Sequence, residues 1–412
     1  MDVDATLRKP PTRSGHMAVC VDRYLMVLGG YNNEMFGQSA YCRIEELWIY
    51  HMDLHRWFCK LTDGDVPPPM SGAKAEVVDH CLYLFGGHTH NGNTNETYCL
   101  DLRNWMWSVI PVTDESQSFS PRDKFVSWTF GQSIYLFGGF GPPLDEYMPA
   151  TGSYAGDGSF MSTRGWNNQL FAFDTESKQW SNPAVGGTLP LPRAAHAAAR
   201  LRDKVFIFGG RHKANRMNDL HCLHLPSMTW SGSLNVDGRK PRGRSWHSLS
   251  PASENTLFLH GGFAEDEFPI CDGWLLDVNL LQWTQLQPVP LLPEPHIGAA
   301  DSKYVVKPRL WHTANSSETY EIFIFGGCLN NILDESEQSE HSADLLYLQL
   351  NARSLLHLCL DMVEQQIDDS YWSELPFSLY KTLKVRSECR QKALEEDTNS
   401  DSDSTARTCV VS

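Results

Sequence analysis

Six times along this chain a short apolar run ends in two consecutive glycines. "YLMVLGGY" places its second glycine at Gly30, "LYLFGGH" at Gly87, "IYLFGGF" at Gly139, "VFIFGGR" at Gly210, "LFLHGGF" at Gly262 and "IFIFGGC" at Gly327. The spacings are 57, 52, 71, 52 and 65 residues. Self-similarity at such a period marks a propeller or a solenoid and constrains the fold more than any other feature.

Within a unit the apolar runs are short and rich in Val, Ile, Leu, Phe and Tyr, as strands are. In the first unit they read "HMAVCV", "YLMVLGG", "ELWIYHMD" and "RWFCKL". Four strands per unit, with the ring closed to remove sheet edges, describe a β-propeller. Tryptophans follow five of the glycine pairs, at Trp57, Trp107, Trp180, Trp230 and Trp283, and an Arg-x-x-His precedes several, at Arg13, Arg193, Arg244 and Arg309. These residues form the kelch signature, and the chain resembles the kelch-repeat family across residues 10–350. The resemblance implies an all-β, six-bladed kelch propeller over 13–350, followed by a short C-terminal helical segment. Its glycines, tryptophans and Arg-x-x-His residues are expected to hold blades together.

Departures from the pattern are informative. The second unit carries Met70 and Ala73 where arginine and histidine are expected, and the third reads "RDKF", with Lys124 and Phe125. The third also holds a long insert, "GPPLDEYMPATGSYAGDGSFMSTRGW", and loops of that length are functional or disordered. The sixth lacks its tryptophan. Its outer strand is expected from Thr6–Lys9, within an N-terminal segment 1–12 that would close the ring.

Strand parity decides which loops share a face. In an antiparallel blade the connection after strand two and the connection between blades lie at the same end. The hairpin from Arg211, the insert from Phe140 to Trp166, and the starts of strand one at Lys124 and at Ser245 and Trp246 therefore converge. The stretch "GGRHKANR" concentrates cations in a chain of net charge −16. A concave site with a few converging polar groups is the default binding site.

The acidic balance argues against nucleic acid, which needs a broad basic surface. No leader or membrane-length apolar run is visible, and the eleven cysteines show no Cys-x-x-Cys spacing, so a cytoplasmic or nuclear location is expected. Catalytic motifs are missing. His88 with His90 and His221 with His224 lack an evident third metal ligand, and no carboxylate is tied to Ser245 and His247 of "RSWH". No cofactor or metal is expected.

From Ser354 the apolar spacing turns helical, and a second helix is expected at "SELPFSLYKTL". Ser354-Leu355-x-x-x-Cys359-x-x-x-Val363 resembles a BC box, the helix that docks on elongin B/C. Leu375-Pro376-x-x-Leu379-x-x-x-Leu383 resembles a cullin box. The region 354–386 would be this helical segment, and the acidic end 387–412 disordered. Two capping helices on a plain kelch scaffold are the alternative.

Propeller and boxes together resemble the kelch-repeat substrate receptors of cullin–RING E3 ubiquitin ligases, the group of kelch domain-containing proteins 1 and 2. The resemblance rests also on "GDVPPPMSG", "RGWNN", "RMNDLH", "GRSWHSL" and "KPRLWHTA". It implies a non-catalytic receptor that joins elongin B, elongin C and cullin 2 or cullin 5, and that binds C-terminal degrons ending in glycine or a small residue. By the same resemblance Arg211, Arg216 and Ser245 would hold the terminal carboxylate. Tyr31, Lys124, Phe140, Trp166 and Trp246 would line the peptide, Phe140 standing where the receptors carry tyrosine. Finally, "CVVS" fits a prenylation signal at Cys409, which the acidic residues upstream oppose.

Overall fold

A computed structural model describes residues 9–35, 38–112, 118–143, 153–158, 163–293, 305–334, 336–348, 350, 371–372 and 384. Six radial sheets carry the fold. The first comprises Met17–Val21, Tyr24–Leu28, Glu46–His51 and Arg56–Leu61, the four runs expected from the sequence. The other five keep this antiparallel core, whose innermost strand follows an Arg-x-x-His or its substitute; the second and fourth add an outermost strand paired parallel, Asp63–Gly64 and Gly186–Thr188. The innermost strands follow one another around an axis, the sixth (Thr313–Ser316) lying against the first.

The repeat residues explain this arrangement. Each blade-opening arginine is buried and donates to the carbonyl of the first glycine of its own blade. Arg13 Nη1 reaches Gly29 O at 3.0 Å, Arg193 reaches Gly209 O at 2.9 Å and Arg244 reaches Gly261 O at 3.0 Å. The N–H of each second glycine then donates to the backbone at the arginine position of the next blade, as in Gly210 to Arg244 O and Gly262 to Arg309 O, both 2.9 Å. Gly210 has φ +95°, and a Cβ there would stand 2.7 Å from His196 Cβ, so only glycine fits.

Closure uses no exchanged strand among the described residues. Gly327 N–H donates to Arg13 O at 2.8 Å, joining the sixth blade to the first. Nearer the axis, Gly15, Gly72, Lys124, Ala195, Trp246 and Trp311 occupy equivalent places, each with φ between +54° and +67°. Each donates its N–H to the preceding residue of this set, and Gly15 donates to Trp311 O, completing a ring of six bonds of 2.8–2.9 Å. The outer place in the sixth blade belongs to Leu292–Pro293, which pairs antiparallel with Leu345–Leu348. That corrects the expected Thr6–Lys9 strand, of which residues 6–8 lie outside the described residues. A two-residue strand containing proline suits an outer edge, where a missing N–H costs nothing.

Tryptophans fill the spaces between blades. Trp57 packs on Phe325 at 5.1 Å between centroids, Trp180 on Phe85 at 5.5 Å, Trp230 on Phe137 at 4.9 Å and Trp283 on Phe208 at 5.2 Å. Each partner is the phenylalanine just before the preceding blade's glycine pair. Where the sixth blade lacks its tryptophan, that neighbouring position is His260.

Candidate functional site: a basic, aromatic mouth on one face

The glycine pairs end the second strands at one face, and short hairpins continue beyond them. In the fourth blade this hairpin pairs Arg211–His212 with Asn215–Arg216, so the two arginines are direct cross-strand partners. In the third blade the long insert forms a small sheet in which Phe140 pairs with Trp166. Arg244–Ser245 pairs with Phe263–Ala264. The face assignment made from strand parity is what these pairings show.

Arg216 is the centre of the group. It is 5% exposed, its Nε donates to Ser245 Oγ at 3.3 Å, and its guanidinium carbon lies 4.5 Å from the Phe263 ring centroid. Its ion-pair partner among the described residues is Glu267, at 3.9 Å from Nη1. Burial first, and then Arg211, pulls its pKa below the ordinary arginine value, with Glu267 and Glu265 opposing. The contrast is with Arg193 and Arg244, fully buried, which are clamped in bidentate fashion by Asp219 and Asp272 at 2.7–2.9 Å. Arg211 is half-buried; its Nε donates to Lys213 O at 2.8 Å and its guanidinium lies 5.9 Å from the Trp166 ring. Two adjacent guanidinium groups, with Glu267 at 3.9 Å from Arg216 as their one ion-pair partner among the described residues, are the chemistry that suits a carboxylate or a phosphate.

The remaining expected residues divide. Phe140 stands 5.1 Å from Trp166, which is itself buried against Arg211 and His212 and so backs the wall more than it forms it. Trp246 lies at the mouth 5.7 Å from Trp311, and Lys124 sits 5.3 Å above Trp311 with its ammonium held by Asp123. Tyr31 lies on the same face, and its ring neighbours are Tyr41 and His341. Three contributors went unread in the sequence: Trp311, Arg164 (4.7 Å over Phe140) and Glu267. Trp311 occupies in "RLWH" the slot of Trp246 in "RSWH", a signal that was available.

Below the mouth a channel of about 500 Å³ runs along the axis, lined by His16, Lys74, Glu76, His196, His247 and His312 among others. Burial lowers the pKa of each of these histidines, His247 to about 3. His16 and His312 each bond a hydroxyl of the preceding blade, Thr313 and Ser248. His196 would meet Val126 at that place and has no hydrogen-bond partner.

Ser245 and His247 do not form a catalytic pair: Ser245 is bonded to Arg216, and His247 Nε2 meets Phe208 O at 3.1 Å. The positive φ of Trp246 breaks the alternation that would have aligned them. His221 and His224 have carboxylate partners that spacing did not show, Asp219 at 2.8 Å and Asp203 at 3.2 Å, but these are two separate pairs. Among the described residues no cluster of three or more His, Cys, Asp or Glu could hold a metal. Leu355, Cys359, Val363, Leu375, Pro376, Leu379, Leu383 and Cys409 lie outside the described residues.

Comparison with known proteins agrees with this architecture. The KLHDC2/KLHL20/DRC7 Kelch-repeats domain matches residues 15–154 and 154–300. Kelch domain-containing protein 2 of Bos taurus is 40% identical, over 93% of this chain and 92% of the relative. Kelch domain-containing protein 1 of Homo sapiens is 37% identical, over 85% and 84%. A solved structure titled "Structure of YjhT" superposes with a TM-score of 0.55 at 13% identity, covering 83% of this chain and 97% of that one, a likeness of fold.

Proposed function

The chain belongs to the kelch-repeat family that includes kelch domain-containing proteins 1 and 2, and we propose that it is a substrate receptor of a cullin–RING ubiquitin ligase that captures the free C-terminus of partner proteins. The observation that carries the binding half is Arg216, buried and held by Ser245 with no carboxylate closer than 3.9 Å. A buried guanidinium left this way is costly unless something compensates it. A terminal carboxylate would accept from Arg211 and Arg216 in the fork geometry and from the Ser245 hydroxyl. Phe140, Trp246 and Trp311 would exclude water and crowd the last residue, favouring glycine or another small side chain. Lys124 would meet a carbonyl further up the tail. The chain carries no chemistry of its own in this reading. Leu355, Cys359 and Val363 would dock on elongin C, and Leu375, Pro376 and Leu379 on cullin 2 or cullin 5, so that bound proteins are ubiquitinated and degraded.

Fluorescence anisotropy with a glycine-ended peptide tests the binding half. Amidating its C-terminus leaves two guanidinium groups unpaired, a loss of about 2–5 kcal/mol. Arg211→Ala and Arg216→Ala are each expected to weaken the acid peptide at least ~10-fold, the factor that 1.4 kcal/mol represents. Equal affinity for acid and amide overturns the reading.

A further inference from the structure

The connection between the fourth and fifth blades, "VDGRKPRGRSW", places Arg239, Lys240, Arg242 and Arg244 within six residues. Only Arg244 is needed by the repeat. The other three line a cleft of about 390 Å³ together with Asp272, Trp274 and Gln285. Arg239 lies 5.6 Å over the Trp274 indole. Arg239 and Lys240 are exposed and have no carboxylate partner among the described residues. Arg242 is bonded to Asp266 at 2.7 Å, a pair that is half open to solvent.

Asp272, the one carboxylate of the lining, is already engaged. Arg244 holds both its oxygens, and Trp274 Nε1 donates to Oδ2 at 2.7 Å. Burial would raise its pKa, but the bonds and charge of Arg244 outweigh that and leave it below the ordinary carboxylate value. The cleft is therefore positive. It also contains an acceptor without a donor, for Gln285 Oε1 is buried and unpartnered. A ligand that suits both features offers an anion and an N–H close together, as an acidic residue in a peptide does.

Position links this cleft to the mouth. Asp266, which holds Arg242, precedes Glu267, whose carboxylate faces Arg216. Trp274 and Gln285 belong to the third and fourth strands of their blade, so the cleft lies outward of the arginine pair. A tail anchored by its terminus at Arg211 and Arg216 and leaving across the fifth blade passes the Glu265–Glu267 turn and then the cleft. We propose that Arg239, Lys240 and Arg242 form a second subsite that takes an aspartate or glutamate upstream in the bound tail, an inference that rests on the terminal-carboxylate reading. The acidic turn between the two subsites sets a register: acidic side chains are disfavoured beside it and favoured beyond it.

The test uses the full chain and ten-residue peptides ending in glycine, neutral or carrying a pair of glutamates scanned along the upstream half. At low salt one register is expected to tighten binding roughly three- to tenfold, the range of two or three partly exposed ion pairs. Arg239→Ser with Lys240→Ser removes that gain and leaves the neutral peptide unchanged. Arg239→Glu with Lys240→Glu transfers the preference to tails with lysines in that register. No gain in any register, or a gain that survives both double variants, overturns the subsite while acid still binds better than amide. Loss of the acid-over-amide difference in the unaltered protein overturns the carboxylate reading, and the subsite with it.

Discussion

Arginine has two roles in this propeller, and its neighbours decide which. Arg193 and Arg244 are closed off by aspartates 26 and 28 residues away in sequence, partners that spacing alone does not reveal. Arg216 is buried but less completely, 5% exposed against none, and meets a hydroxyl and an aromatic face instead. The sequence marks the first kind by Arg-x-x-His and the second only through "RMNDLH" and its resemblance. Histidine divides in the same way. His196 has both ring nitrogens buried without a partner, and burial, followed by the charge of Arg193, holds its pKa well below the ordinary value. The neutral form is bound in the folded state while the unfolded chain takes up a proton below about pH 6.5. Stability is therefore full above that pH and is lost as pH falls from there toward the folded-state pKa. His247, at about 3, behaves likewise and costs on the order of 2 kcal/mol at pH 5. The third blade shows the remedy, since Phe125 fills the same slot. His196→Phe is expected to fold and to lose less stability between pH 7.5 and 5 than the unaltered protein, as read by urea denaturation. Parallel pH dependences would show that His196 is protonated or solvated in the fold.

Between elements, the stabilising unit is the junction of two blades: a tryptophan from one, a phenylalanine before the glycines of the other, and the glycine N–H across the gap. Trp230 is 2% exposed and lies between Phe137 and the core of its own blade. Trp230→Ala should cost about 3–5 kcal/mol, the range for removing a buried aromatic ring. A chemical denaturation midpoint within error of the unaltered protein would contradict that role. These junctions were legible because their residues recur at fixed places. The sixth blade was less so. Its outer strand, Leu292–Pro293, is too short and too poor in β-formers to stand out, and its pairing with Leu345–Leu348 is set by the ring geometry instead of by local pattern. The small sheet built by the third-blade insert was likewise visible only as a long loop, because its pairing of Phe140 with Trp166 spans residues without alternation. Tyr31 was named through the resemblance alone, and its ring stands beside Tyr41 and His341.

The mouth and the end of the last described strand lie at opposite faces of the propeller. The arginine mouth lies at the face where second strands end. In the sixth blade Leu345 is paired with Phe325, beside the glycines, and Leu348 with Ile322, at the far end. That strand therefore ends at the face opposite the mouth, ~15 Å away for strands of four or five residues. The segment with Leu355, Cys359 and Val363 follows that strand in sequence. We propose that elongin docks beyond that strand's end, in which case a tail bound at Arg211 and Arg216 leaves its surface free. Coupling between the sites requires a two-state element that both bias, and the ring of six axial hydrogen bonds favours a single closed form. Leu355→Ala with Cys359→Phe is expected to abolish copurification of elongins B and C and to leave glycine-ended peptides bound as before. A saturating peptide should in turn change the affinity for elongin B/C by less than about twofold, below the 5-fold coupling typical of linked sites. Normal elongin capture by the double variant would remove the ligase half of the proposal and leave a kelch propeller that reads C-termini for another purpose. A large mutual effect would instead place the docking segment at the mouth itself.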